Sequence, residues 1–280
     1  MRITMPAPAV SSMFFHEYTC REIFSFAQAS GITGMEFWIE TPDFWLRGCP
    51  VGEINAIRQE FSGIRDLTIH APILDLNPCS INPEVAMVSI RYVREAIRLT
   101  EHLGAGTLTV HPGRRTAKRP PSKPDFERFD RYIAALREEA GRHPVRICME
   151  NMEPLVNSLV CTPERMREIL DEEPWLSFTL DVSHALAGKP GDLGEYIRLC
   201  ADRLANVHVS RVDGKRLHLP LDGNPAMADI LGSLEDAGYS GPLTLEIDDL
   251  NFNRAFSAQE KIAVLAADRA FILRSLRKSR

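Results

Sequence analysis

No stretch of this 280-residue sequence carries the roughly 18 consecutive apolar residues that a membrane-spanning helix requires, so no segment is expected to cross a bilayer. The first ten residues, MRITMPAPAV, lack the sustained apolar centre of a secretory signal, and the expected location is the cytoplasm. Positive charge is not in excess: 33 Lys and Arg stand against 38 Asp and Glu, a net charge of −5. A dedicated nucleic-acid binder normally shows a basic footprint, so DNA is not the expected partner. The six cysteines (Cys20, Cys49, Cys79, Cys148, Cys161 and Cys200) contain no C-x-x-C pair, which argues against a thiolate zinc site and for reduced, unpaired thiols. No G-x-G-x-x-G follows the first predicted strand, which removes the main signal for an open dinucleotide-binding sheet. Linkers and low-complexity segments are also missing, so residues 1–280 are read as one domain.

What is present is an alternation. Short apolar runs predict strands at Ile3–Met5, Gly34–Trp38, Leu67–His70, Thr107–His111, Val145–Glu150, Leu176–Asp181, Leu204–His208 and Leu243–Ile247. Prolines Pro6 and Pro8 are taken to end the first. Helical segments lie between them. The longest follows Pro83, where Val85, Val88, Tyr92, Ala96, Leu99 and Leu103 recur with the 3.6-residue period of one buried helix face. Thr162-Pro163 has the form of a helix start, with Thr at the N-cap and Pro in the first turn. Strand–helix repeated eight times implies right-handed βαβ units and a (β/α)8 TIM barrel, an α/β fold.

The strand ends carry the chemistry. LSFTLDVSHALAG closes a buried strand on Asp181 and offers His184 three residues later. A carboxylate in such a place is costly unless it is paired or bound to a cation. The other later strands close in the same manner, on His70, His111, Glu150, His208 and Glu246. His, Asp and Glu make up about one residue in six of the chain, so six such strand ends rarely arise by chance. In a barrel these ends meet at one mouth, which makes remote residues neighbours. His218, in RLHLPLDGNP, follows the seventh strand and joins them. Imidazoles and carboxylates together suit a divalent cation, most readily zinc. In the loop RRTAKRPPSK after the fourth strand, Arg114 and Arg115 are candidates to receive an anion. Phe37, Trp38, Phe44 and Trp45 are candidates to wall a pocket, Trp38 foremost.

These segments resemble the xylose isomerase-like barrels, a superfamily of sugar isomerases and epimerases and of apurinic/apyrimidinic endonucleases of the endonuclease IV type. The resemblance is carried by TIHAPILDLNP, TLTVHPG, ICMENMEP, FTLDVSHALAG, NVHVSRVDGKRLHLP and GYSGPLTLEI, and it covers nearly the whole chain. It implies a metal held by Glu150, Asp181, His208 and Glu246 in either branch, with Glu150, Glu246 and His184 as candidate catalytic residues and His184 a metal ligand in one branch and a substrate contact in the other. The endonuclease-like HAP and HPG segments imply a second ion on His70, His111 and Glu150. A third would use His184 and His218, but the aspartate expected beside them is Arg216, a cation that would repel it and could instead take an anion. The endonucleases' DNA-gripping insertions are absent.

Two activities follow as expectations. The first is hydrolysis of a phosphoester or phosphodiester in a small, anionic or non-duplex substrate, for example the nucleotide loop of a cobamide, by two ions bridged by Glu150. The ions would be zinc, alternatively manganese. The alternative is a sugar or sugar-phosphate isomerase or epimerase with one metal, in which Glu150 and Glu246 move a proton through an enediolate. The sequence leaves oligomeric state open.

Overall fold

The structure is a computed structural model that describes residues 6–278. Ten strands and ten α-helices are found among those residues. The strands are β1 Ala7–Ser11, β2 Gly34–Trp38, β3 Asp66–His70, β4 Thr107–Val110, β5 Arg146–Glu150, β6 Ser177–Asp181, β7 Leu204–Val209, β8 Arg211–Asp213, β9 Arg216–Leu219 and β10 Pro242–Leu245. The helices are α1 Cys20–Ala29, α2 Pro42–Trp45, α3 Val51–Glu60, α4 Pro83–His102, α5 Lys123–Ala140, α6 Pro163–Glu172, α7 Val182–Leu186, α8 Asp192–Cys200, α9 Pro225–Asp236 and α10 Ala258–Lys278. Eight parallel strands close in the order β1-β10-β7-β6-β5-β4-β3-β2, a (β/α)8 barrel. β8 and β9 form a separate antiparallel hairpin after β7.

The predicted first strand, Ile3–Met5, lies outside the described residues; the observed β1 begins at Ala7 and contains Pro8. Proline lacks an N–H but is tolerated near a strand's start, so it did not end this one. Helix starts follow local chemistry: Pro42, Pro83, Pro124, Pro163 and Pro225 each stand in a first turn, where the missing N–H costs nothing. Thr19 and Glu22 form a capping box on α1. The predicted apolar stripe of α4 holds at Ala96, Leu99 and Leu103 and fails at Val85, which is exposed. There the buried face is polar: Ser89 Oγ donates to Val85 O and accepts from Asn77 N at 2.8 Å, holding the preceding loop.

Side chains alternate along each barrel strand. Met35, Phe37, Ile69, Leu108, Val110, Ile147, Met149 and Phe178 belong to the apolar core shared with the helices. The opposite set is polar. Glu36, Thr109, Thr179, Asn206 and Thr244 are all fully buried and hydrogen-bond to one another. Barrel interiors are usually filled by Val, Ile and Leu, so a polar column here signals that something above it needs support. Phe37 and Phe44 meet edge to face at 5.2 Å inside the apolar core, and Trp45 packs on Tyr92. They do not wall a pocket: Phe37 belongs to the outward, apolar set of β2, and Phe44 and Trp45 on α2 pack into or against the same core. A buried Lys261 on α10 donates to Phe14 O and pairs with Glu17 and Asp249, tying the loops after β1 and β10 together. Among the described residues no helix is long and apolar enough to cross a membrane.

Candidate metal centre

Asp181 ends β6 and also caps α7. Its Oδ1 accepts from the His184 N–H at 2.6 Å and from Ser183 Oγ at 2.9 Å, while Oδ2 has no hydrogen-bond partner. The cap therefore fixes the carboxylate and leaves one oxygen free. Asn151, the residue after Glu150, accepts from Asp181 N at 2.8 Å and donates to Asp181 O at 3.0 Å. That clamp holds the ends of β5 and β6 side by side.

Glu150 is the hub. Its Oε2 lies 3.0 Å from His111 Nε2 and 3.5 Å from His70 Nε2, and its Oε1 lies 3.4 Å from His184 Nδ1 and 3.5 Å from His208 Nδ1. His208 Nδ1 is also 2.8 Å from Glu246 Oε2 and 3.8 Å from Asp181 Oδ2. The donor atoms fall into three groups, each within 4.8 Å: His70, His111 and Glu150; Glu150, Asp181, His208 and Glu246; and Asp181, His184 and His218. His70 Nδ1 is engaged with Ala71 O at 2.8 Å, which directs Nε2 at Glu150. His218 has a left-handed backbone, φ 52°, uncommon outside glycine and a sign of constraint where function needs it.

A test of whether these residues suit a cation lies in what they fail to bond. His70 Nε2, Glu150 Oε2, Asp181 Oδ2, His208 Nδ1 and Glu246 Oε2 are buried and lack hydrogen bonds, although they crowd together. Native interiors leave few such atoms unpaired. All five belong to the candidate ligand groups, and divalent ions would satisfy them. Electrostatics agree. Burial would raise the Glu150 carboxyl, but His111 and His208 hold it well below the usual range. Burial likewise opposes ionisation of Glu246, and His208 reverses it downward. Asp181 is pushed up to about 6 by burial, against the pull of His184 and His218. Burial lowers His111. It also opposes the charged forms of His184 and His208, yet carboxylates win: Asp181 and Glu150 bring His184 to about 10, and Glu246, Glu36 and Glu150 raise His208 well above its ordinary value.

Without a metal the surrounding carboxylates favour the protonated forms of His184 and His208, so an ion held by His208 would have to displace a proton. Metal addition in weak buffer at pH 7 is expected to release protons, with affinity climbing as pH rises and His208 gives up its proton more readily. Pulsed titration with a pH electrode checks it; proton-neutral uptake would contradict this charge assignment.

The remaining expected residues are placed differently. Trp38 stacks on His70, centroids 3.9 Å apart and planes at 9°, and is 5% exposed, so it backs the imidazole and offers little surface to a ligand. The Arg115 guanidinium donates to Pro120 O and approaches Asp125 at 3.5 Å. That of Arg216 pairs with Asp213 across the β8–β9 hairpin. Arg115 is thus held by its loop and the first turn of α5, and Arg216 within its own hairpin. Arg114 remains open to solvent and lines a cavity of about 140 Å3 that begins at His111. Ala71, Ile73 and Leu76 supply its apolar side and Glu153 a second charge. Asn77 holds its wall by accepting from Arg114 N and donating to Arg114 O, and a side chain on Gly113, φ 76°, would strike Asn77 at 2.9 Å. The volume is below the roughly 300–1,000 Å3 typical of drug-sized sites, which fits a small substrate. Glu36, fully buried in β2 and 2.9 Å from His208 Nε2, escaped the sequence reading. Its signal was a lone carboxylate inside the otherwise apolar GMEFW.

A family model described as xylose isomerase-like TIM barrel matches residues 24–268. The uncharacterized protein MJ1188 of Methanocaldococcus jannaschii is 33% identical over 94% of this chain and 97% of its own. A probable endonuclease 4 of Shouchella clausii is 25% identical over 55% of each chain. Among solved structures, a D-tagatose 3-epimerase-like protein superposes with TM-score 0.78 at 21% identity, covering 98% of both chains. An L-ribulose 3-epimerase does so with TM-score 0.76 at 18% identity, covering 99% of this chain and 96% of that one.

Proposed function

This chain belongs to the xylose isomerase-like TIM barrel family, and from that premise we propose that it is a divalent-metal-dependent isomerase or epimerase of a small polyhydroxylated carbonyl compound. The observation that carries the reading is the pair Glu150 and Glu246. Their oxygens lie 3.5 Å and 2.8 Å from the same His208 nitrogen, both carboxylates are favoured in ionised form, and no lysine or arginine pairs with either among the described residues. Two ionised carboxylates about one centre are what a proton removed from one face of a carbon and returned to the other requires.

Glu150, Asp181, His208 and Glu246 would hold the ion. When bound, it supplies Lewis acidity that makes the carbon next to the substrate carbonyl acidic. Three carboxylates and one imidazole are an oxygen-rich set, which suits manganese as well as zinc. Glu150 and Glu246 take and return the proton. His184, held by Asn151 O at 2.9 Å, keeps Nε2 for a substrate hydroxyl. The cavity at His111 receives the rest of the molecule, with Arg114 at its edge. Full-length likeness to epimerases adds support, since it needs no inserted domain; the match to the endonuclease spans only about half the chain.

The sequence alone favours phosphoester hydrolysis, and this support reverses the order. The cobamide example gains nothing and is set aside. One observation keeps hydrolysis as the second reading: His70 and His111 both aim Nε2 at Glu150 Oε2, as ligands of a second ion would. The deciding experiment incubates metal-replenished protein in D2O with a panel of ketoses. Deuterium entering the carbon beside the carbonyl, with a new epimer, is expected. Absence of exchange across the panel, with cleavage of a phosphodiester, would replace this reading with the second.

A further inference from the structure

Glu36 is a carboxylate with no ordinary means of support. It is 0% exposed, inside the barrel, and no lysine or arginine reaches it among the described residues. Its neighbours are Asn206 Nδ2 at 2.6 Å, Thr109 Oγ1 at 3.3 Å and His208 Nε2, at 2.9 Å from one oxygen and 3.0 Å from the other. Asn206 and Thr109 can only donate neutral hydrogen bonds. Satisfying a neutral column does not require a charge, and burying one without a charged partner is expensive. The imidazole is the one group present that gives the carboxylate a task.

The two nitrogens of His208 point in opposite directions. Nδ1 faces Glu150, Asp181 and Glu246, while Nε2 faces Glu36. A histidine can offer a lone pair from one nitrogen while the other keeps its proton, and whatever accepts that proton decides which is which. We propose that Glu36 is a positioning residue of the metal centre. By accepting the Nε2–H of His208 it fixes the ring's rotation and tautomer and leaves Nδ1 as the electron-rich ligand. Asn206 Nδ2, the nearest donor at 2.6 Å, holds the carboxylate in line. Such outer partners of a ligating histidine typically alter metal affinity by 10–100-fold. The inference rests on the cation site of the preceding section and is independent of the reaction performed there.

Glu36→Gln keeps shape and an acceptor but removes the charge. Its Mn2+ and Zn2+ affinities, measured by competition with a chromophoric chelator, are expected to fall by about 10–100-fold. The visible spectrum of the Co2+ form should shift with the ligand geometry. Thr109→Val serves as the control: it removes a hydrogen bond to the same carboxylate without touching His208, and should lower the melting temperature while metal affinity stays. Should Glu36→Gln not fold, Glu36→Asp retains the charge, withdraws the oxygen from Nε2 and is expected to weaken binding as well. Wild-type affinity and Co2+ spectrum in either glutamate variant would overturn the proposal, as would an equal affinity loss in Thr109→Val. Wild-type protein that takes up no metal would instead overturn the function proposed above.

Discussion

Glu150→Gln is expected to abolish metal retention and reduce turnover by at least about 1,000-fold. The size follows from two losses at one atom pair. As a proton carrier, a side chain contributes about 10²–10⁴ in rate. As a ligand, Glu150 belongs to two of the three donor groups, and its Oε1 and Oε2 serve different ones. The amide keeps the volume but gives one neutral acceptor where two anionic oxygens stood, and it leaves the four imidazoles around it without their shared counter-charge. Glu246→Gln makes the comparison, because it belongs to one group alone. It should lose about 10²–10⁴ in turnover while keeping more of the metal than Glu150→Gln. Metal content by elemental analysis and solvent exchange on substrate measure both. Equal metal content in wild type and Glu150→Gln would refute the assignment of Glu150 as the hub.

The second large effect separates the two reactions. Replacing His70 and His111 together by alanine dismantles the group that a second ion would use and leaves Glu150, Asp181, His208 and Glu246 in place. If the enzyme is an isomerase or epimerase, the double variant should keep one ion per chain and lose no more than about tenfold in turnover, a loss of hydrogen bonds to substrate of about 1.4 kcal/mol. A hydrolase would lose its second ion and essentially all phosphoesterase activity. Folding should survive. The stack of Trp38 on His70 is worth about 0.5–1.5 kcal/mol, small against the total stability of a domain. A wild type that binds two ions tightly, followed by loss of one ion and all turnover in the double variant, would move the reading to hydrolysis.

How far the sequence reveals this site depends on where each residue stands. His70, Glu150 and Asp181 were legible because each ends a strand whose apolar run makes the polar residue conspicuous, and barrel closure then brings such ends together. His111 and Glu246 fall one residue beyond β4 and β10, a boundary difference without chemical effect. Glu36 stayed hidden because it is the middle residue of its strand, and only the closed barrel carries it beneath His208. The β8–β9 hairpin went unpredicted: Asp213-Gly214 is a turn dipeptide, but β8 spans only three residues and has no readable pattern. For Arg115 and Arg216 the sequence could not show their partners. Composition shows that an arginine is near a mouth, but not that Asp125 or Asp213 already holds it.

The polar column inside the barrel also constrains how a chain like this can change by descent. Outward positions such as Phe37 or Val110 touch many apolar neighbours, and exchange for another apolar residue of similar volume usually costs under about 1.5 kcal/mol. Glu36, Thr109, Thr179, Asn206 and Thr244 have no such freedom. Removing Glu36, Thr109 or Asn206 breaks two or more buried hydrogen bonds at about 1–3 kcal/mol, while Thr179 and Thr244 each add one more to the same network. These five positions are coupled, so a lineage keeps them as a set or exchanges them as a set. A relative in which the five have become aliphatic has crossed several unfavourable single steps, and it has given up the support beneath His208 along the way.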